Sequence, residues 1–259
     1  MAYKGFDLTG KVALVTGGNG GIGLGMADAM AEAGADICIW GTRKEKNDAA
    51  VTQLKKHGRK VHALTVDVGD EKQVQDAFAE TVKVMGHVDN CVANAGVSGR
   101  GKGSLLEMDY EEWRRVLRVN LDGAFYTAQE AVKQMQRQDP QGGSIVFTSS
   151  GSAFFGQQRG QHYGGSKAAI NAMMKGIAVE HARHGIRCNA ILPGWIESDM
   201  TAGALGWDKF VEKVLPRVPL RRWGKPEDFS ALAVLLASPR ASGYQTGDVI
   251  TVDGGYHSF

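Results

Sequence analysis

Seven short runs of β-branched and apolar residues recur along the chain: KVALVT at 11–16, DICIWG at 36–41, KVHALTV at 60–66, VDNCVAN at 88–94, GSIVFTS at 143–149, IRCNAIL at 186–192 and DVITV at 248–252. Most are apolar nearly throughout instead of alternating, the pattern of strands covered on both faces. Between them, helical periodicity marks 22–33, 43–57, 70–85, 110–137, 163–183 and 226–237. This alternation predicts an α/β fold: a Rossmann-like, doubly wound, seven-stranded parallel sheet with helices on both faces. No repeat, low-complexity linker or boundary divides residues 1–259, so a single domain is expected. The least regular stretches, 96–109, 151–162 and 193–224, each follow a strand. They therefore gather at the carboxyl edge of the sheet, where open α/β sheets bind ligands.

Composition narrows the functional classes. A chain of 259 residues buries a full core without disulfides or metal. A net charge of +2 gives no field that would collect nucleic acid or an acidic membrane. The Arg114, Arg115, Arg118 cluster and the Arg221–Arg222 pair read as ion-paired or solvated surface. His181 and His184, spaced i, i+3 at a helix end, read as dipole partners, and no metal site is expected. Cys38, Cys91 and Cys188 form no CxxC and sit in strand-like runs, so buried reduced thiols in a reducing compartment are expected. The N-terminus lacks the apolar core of a signal peptide, and ALAVLLA at 231–237 is too short to span a bilayer. The expectation is a cytoplasmic protein that binds neither membrane nor nucleic acid.

The first strand runs into TGGNGGIG at 16–23 and then into a helical pattern. A strand, glycine loop and helix N-terminus together place backbone N–H groups and a positive dipole end against a pyrophosphate. Two registers fit: Gly18, Gly20 and Gly23 match G-x-G-x-x-G, and Gly17, Gly21 and Gly23 match T-G-x-x-x-G-x-G. The second strand of such a unit commonly ends in an acid that holds the adenosine ribose. Here it ends Trp40-Gly41-Thr42-Arg43, with no acid. An Arg beside a small hydroxyl residue suits a 2′-phosphate, so NADP(H) is favoured over NAD(H). The competing reading leaves Arg43 as a solvated residue at a helix start.

Of six tyrosines, only Tyr163 has a lysine four residues on, Lys167, which places both on one helix face. A phenol with a pKa of about 10 is a poor acid–base group at neutral pH, and a fixed ammonium beside it favours phenolate. Strand 143–149 leads into Ser149-Ser150-Gly151-Ser152. Asn94-Ala95-Gly96 ends another strand, and Asn120 falls inside helix 110–137, a mildly unfavourable position that calls for a reason.

Taken with Asp67-Val68, Pro193-Gly194 and TVDGG at 251–255, these motifs resemble the short-chain dehydrogenase/reductase superfamily over essentially the whole chain. The resemblance selects Gly17, Gly21 and Gly23 as the loop register, with Asn19 and Ile22 beside them. It implies an NAD(P)(H)-dependent oxidoreductase that interconverts a ketone or aldehyde and a secondary alcohol by hydride transfer. Tyr163 would exchange the proton. Lys167 would lower the tyrosine pKa and hold the nicotinamide ribose. Ser150, chosen over Ser149 and Ser152 on spacing, would orient the carbonyl, and Asn120 would support a water linking Lys167 to solvent. Asp67 and Val68 would flank the adenine, with Asn94, Ala95 and Gly96 near the adenosine ribose side. Pro193, Gly194, Ile196 and Ser198 would hold the carboxamide region, Ser198 standing where Thr is more usual, and Ala93 replaces a common Asn. A homotetramer of 222 symmetry is implied, helices 110–137 and 163–183 forming one interface.

Rivals are a non-catalytic dinucleotide sensor on the same fold and an epimerase or dehydratase. The intact Asn120, Ser150, Tyr163 and Lys167 set and the short chain after 224 disfavour both. For the substrate pocket, Ser152, Phe154, His162, Trp195 and Met200 are the candidates. With Phe155, Leu205, Trp207 and Phe210 they predict an apolar site beneath a short movable lid within 193–224. Arg100, Gln157 and Arg159 point the other way, toward a sugar acid of gluconate type.

Overall fold

The computed structural model describes residues 3–99 and 104–258. Its centre is one parallel sheet, in spatial order β3-β2-β1-β4-β5-β6-β7. The strands are β1 (Val12–Thr16), β2 (Asp36–Gly41), β3 (Val61–Thr65), β4 (Asn90–Ala93), β5 (Gly143–Thr148), β6 (Ile186–Pro193) and β7 (Val249–Val252). All seven predicted strands form. Every residue of β1, β4 and β6 is buried, whereas β3 and β7 are partly exposed because each has a neighbour on one side only.

The helices are α1 (Gly21–Glu32), α2 (Lys44–Leu54), α3 (Glu71–Met85), α4 (Tyr110–Leu117), α5 (Gly123–Arg137), α6 (Gln161–His181), α7 (Ala202–Leu205), α8 (Asp208–Val214), α9 (Ser230–Ala237) and α10 (Pro239–Ser242). Successive strand side chains alternate between two cores. Val12, Leu14, Cys38 and Trp40 pack with Phe78 of α3, Ala128 of α5 and Met174 of α6. Ala13, Val15, Ile37 and Ile39 pack with Met26 and Met30 of α1, Leu54 of α2 and Leu236 of α9. Trp40 is wholly buried, with its Nε1 donating to Thr81 Oγ1 at 3.1 Å and its ring edge-on to Phe78. This anchors the end of β2 and with it the start of the Thr42-Arg43 loop.

The strand order reverses between β1 and β4, so the connections leaving them diverge and open a crevice at their carboxyl ends. The helix expected at 110–137 is not continuous. A π turn over Arg118–Asp122 separates α4 from α5 and carries Asn120 at its centre. The extra residue in that turn turns Asn120 inward, where it is fully buried; such bulges in helices recur at functional sites. Segment 193–224 contains α7, α8 and a 3₁₀ turn at Leu215–Arg217. The arginines read as ion-paired include Arg115, which meets Glu112, Arg118, which meets Asp67 at 2.9 Å, and Arg222, which meets Asp228. Among the described residues no helix is long and apolar enough to cross a membrane.

Candidate active site

A cleft of about 610 Å³ runs along the carboxyl edge of the sheet. One wall begins at the loop between β1 and α1. Gly17 and Gly21 adopt left-handed φ values of 64° and 51°, which L side chains resist. At Gly23 a Cβ would lie 2.4 Å from the Gly17 carbonyl oxygen, so only glycine lets α1 approach the strand. The register Gly17, Gly21, Gly23 therefore has a physical basis. No side chain caps the start of α1, and open space surrounds Gly20, leaving the first helical N–H groups accessible to a phosphate. This cradle and the length of the cleft fit a dinucleotide.

Asn19, Ile22, Thr42, Arg43, Asp67, Val68, Ala95, Gly96, Pro193, Gly194, Ile196 and Ser198 all line the cleft, as expected. Asn94 lines it too, but its side chain is committed to the fold. Its Nδ2 donates to the Thr16 and Gly17 carbonyls, and its Oδ1 accepts from Thr148 Oγ1 at 3.0 Å. Asn47 was not foreseen. It lies buried in α2, accepts from Asn19 Nδ2, and donates at 3.1 Å to the carbonyls of Gly41 and Leu64. It thus ties the phosphate loop to the ends of β2 and β3. An Asn in a mostly polar helix carries no sequence sign of burial.

At the other end of the cleft the reactive side chains meet. The Ser150 hydroxyl lies beside the Tyr163 phenol, near enough to favour its ionised form; its own hydrogen bonds go to Ser152, whose N–H it accepts at 3.2 Å and whose hydroxyl it meets at 3.4 Å. The neighbouring hydroxyls are engaged elsewhere: Ser149 Oγ donates to the Lys167 carbonyl, and Ser152 Oγ donates to Gln157 at 2.6 Å. Lys167 is 4 % exposed and donates from Nζ to the Thr148 carbonyl at 2.8 Å. That Nζ lies 5.7 Å from the centre of the Tyr163 ring. Asn120 brackets Val97, accepting from its N–H at 2.8 Å and donating to its carbonyl at 3.0 Å, and also donates to Ser166 Oγ. A Cβ on Gly96 would sit 3.2 Å from Asn120 Oδ1 and 3.5 Å from Lys167 Nζ. Glycine there keeps the gap between them open.

Burial sets the protonation of this group. It pushes the Tyr163 phenol above its ordinary value, with the nearby Ser150 hydroxyl opposing, so the tyrosine carries its proton at neutral pH. The lowering expected of Lys167 is not found: burial dominates, and the opposing influence comes from Ser150. Burial brings Lys167 down from 10.5 to about 8, which leaves it mostly charged at neutral pH.

The expected substrate-pocket residues lie in several different surroundings. Of the five candidates only Met200 lines the cleft. Trp195 turns away to meet Phe210 at 4.8 Å and lines a separate cavity of about 170 Å³ against Val218, Leu220 and Gly254. Phe154 packs against the His257 ring. His162 is buried, its Nε2 3.6 Å from a Glu112 carboxylate oxygen and its ring filling the space beside Gly99. Ser152 stays beside the site through Ser150, whose Oγ accepts its N–H at 3.2 Å and donates to its hydroxyl at 3.4 Å. Arg100 lies outside the described residues.

A cleft of about 610 Å³ with a glycine cradle at one end and a Ser–Tyr–Lys cluster at the other fits a dinucleotide-dependent oxidoreductase. Comparison with known proteins agrees: the family profile for enoyl-(acyl carrier protein) reductases matches residues 17–257. An L-rhamnose 1-dehydrogenase (NAD(P)(+)) of Sphingomonas sp. is 38 % identical over 251 residues, covering 96 % of this chain and 97 % of that one. A short-chain type dehydrogenase/reductase from Mycobacterium marinum has 36 % identity and a TM-score of 0.91, with 98 % of each chain covered. A NADP-bound protein from Agrobacterium tumefaciens, provisionally assigned as a 2-deoxy-D-gluconate 3-dehydrogenase, has 32 % identity and a TM-score of 0.91, covering 99 % of this chain and 100 % of that one. The chain belongs to the short-chain dehydrogenase/reductase superfamily. It is an NAD(P)-dependent oxidoreductase that interconverts carbonyl compounds and alcohols.

The buried ammonium has a thermodynamic signature. Because the folded pKa of Lys167 lies below its ordinary 10.5, the unfolded chain binds more protons between about pH 8 and 10.5. Folding stability should therefore rise through that window. Relative to Lys167→Met, the wild-type protein should gain on the order of 3 kcal/mol between pH 7 and 10.5. Denaturant unfolding of both proteins at several pH values measures this, and a difference that stays flat with pH would mean the ammonium is not desolvated.

Proposed function

We propose that Tyr163 is the general acid–base of this enzyme, that the cofactor is preferentially NADP(H), and that the substrate is a hydroxylated carbonyl compound. The observation that carries the chemistry is the convergence of Ser150, Tyr163 and Lys167 on one cleft, with the Lys167 ammonium 5.7 Å from the centre of the tyrosine ring. When bound, the nicotinamide supplies or accepts the hydride. During reduction Ser150 donates a hydrogen bond to the substrate oxygen. Tyr163 passes its proton to that oxygen as the carbonyl carbon gains the hydride, and the phenolate left behind is stabilised by Lys167. Asn120, fixed on Val97 and Ser166, holds the position from which a water reprotonates the site through Lys167. In oxidation each step runs in reverse.

The apolar reading of the substrate weakens because Trp195 faces a different cavity and Phe210 packs against Trp195. What remains beside Ser150 is the hydroxyl of Ser152 paired with the Gln157 amide, a polar rim suited to sugar hydroxyls. The relatives named for rhamnose and 2-deoxy-gluconate point the same way. The test is reduction of a keto-sugar acid and of a cyclic ketone, followed by absorbance of the reduced nicotinamide. At least a tenfold advantage in kcat/KM for the sugar acid is expected, and the reverse order would restore the apolar pocket. Tyr163→Phe should lose about 10²–10⁴-fold in kcat with cofactor binding kept. Wild-type reduction should decline above about pH 8, where Lys167 loses its charge. Near-normal turnover by Tyr163→Phe would remove the tyrosine from the mechanism.

For the cofactor, Arg43 stands at the cleft wall beside Thr42 with Lys46 a turn further along α2, and no acid ends β2. Arg43→Ala should weaken NADPH binding by about tenfold or more, the worth of a charge-assisted phosphate contact, and leave NADH nearly unchanged. Fluorescence titration with each cofactor measures this, and equal losses would mean that Arg43 does not read the phosphate.

The assembly is proposed to be a homotetramer. Tyr110 and Trp113 of α4, Phe125 of α5 and Val179 of α6 are exposed at 82, 38, 45 and 83 %, more apolar area on neighbouring helices than a monomer commonly leaves in water. Light scattering should give four times the chain mass at micromolar concentration. A monomer there would refute the assembly.

A further inference from the structure

We infer that Asp199 is an internal anion that competes with the 2′-phosphate of NADP(H) for Arg43 and Lys46, and thereby tunes cofactor preference. The inference rests on the reading of Arg43 given above. Arg43 precedes α2 and Lys46 lies in its first turn, while Asp199 comes from the segment after β6, more than 150 residues on. One carboxylate oxygen of Asp199 accepts from Arg43 Nη2 at 3.2 Å and from Lys46 Nζ as well. All three residues line the cleft beside Thr42. The carboxylate missing from the end of β2 is thus supplied from across the cleft. The two cations hold Asp199 ionised below the usual carboxylate range.

The ties are weak enough to exchange. The Asp199 side chain is 71 % exposed and that of Arg43 60 %, so water and salt screen the pair. A phosphate monoester carries about −1.5 to −2 charge and three acceptor oxygens, and it outcompetes a single carboxylate at the same two cations. NADH brings no such group, so Asp199 stays in place and neutralises them. Displacement also has a mechanical consequence. Ser198 is bonded through its N–H and hydroxyl to Thr201 Oγ1, and α7 begins at Ala202. Releasing Asp199 therefore unpins the turn that leads into the segment over the substrate end.

The experiment compares wild type, Asp199→Asn and Arg43→Ala. Titration of the reduced-nicotinamide fluorescence at low salt should show NADPH binding Asp199→Asn about three- to tenfold more tightly than wild type, with NADH within twofold. Hydrogen exchange of residues 198–206, with no dinucleotide present, should be faster in Asp199→Asn. Adding 2′,5′-ADP to wild type should speed the same amides, and 5′-AMP should not. An unchanged NADPH-to-NADH ratio in Asp199→Asn, while Arg43→Ala still weakens NADPH selectively, would overturn the role of Asp199 and leave the cofactor reading standing. Equal weakening of both cofactors by Arg43→Ala would overturn the cofactor reading and this inference with it.

Discussion

The cleft depends on one side chain that never reacts. Asn94 joins the ends of three strands: it donates to the Thr16 and Gly17 carbonyls at the end of β1, accepts from Thr148 at the end of β5, and directly follows the last residue of β4. The Thr16 hydroxyl returns the tie by accepting from the N–H groups of Asn94 and Ala95. Parallel strands that diverge at a topological switch would otherwise leave these terminal groups unpaired beside a crevice, each costing about 1–3 kcal/mol. Pairing them fixes the relative position of the phosphate loop and of Thr148. The Thr148 carbonyl in turn receives Lys167, so the spacing between the cradle and the acid–base group is set by the sheet itself.

Placing an ammonium there works against stability. Desolvation alone moves Lys167 to about 8, and only one of its protons meets a protein acceptor, the Thr148 carbonyl, among the described hydrogen bonds. The same burial keeps Tyr163 protonated. The two shifts suit the proposed chemistry: a protonated tyrosine can give its proton to a substrate oxygen, and a charged lysine can stabilise the phenolate that would remain. The fold accepts the cost because the charge acts where water cannot screen it.

Much of this was legible in the chain. All seven strands, the doubly wound order and the presence of the glycine loop follow from pattern, since a strand covered on both faces and a glycine loop are both contiguous in sequence; the Gly17, Gly21, Gly23 register was fixed only by the family resemblance. Tyr163 and Lys167 were readable for the same reason: four residues on a helix are one face. What could not be read depends on tertiary direction. Trp195 follows Gly194 directly, yet its ring goes to Phe210 because the chain turns there, and nothing in the order of residues says which way. The π turn at Asn120 was signalled only as an oddity. Asn47 and Asp199 were invisible because their partners, Asn19 in one case and Arg43 with Lys46 in the other, are distant in sequence.

The two ends of the cleft are held by different physics, and this bears on how such an enzyme can change. At the chemical end Asn120 is fully buried and Lys167 nearly so, and each hydrogen bond there is short-range and directional. Altering one member leaves a buried group unsatisfied, which is costly and disrupts the rest. At the adenosine end Arg43, Lys46 and Asp199 are solvated and act through charge. Exchange of one charge there changes which anion is welcome without disturbing a packed core or a hydrogen-bond network. The proposed separation of cofactor preference from catalysis rests on this difference: the exposed charges of Arg43, Lys46 and Asp199 can be exchanged one at a time, whereas the buried groups around Lys167 cannot.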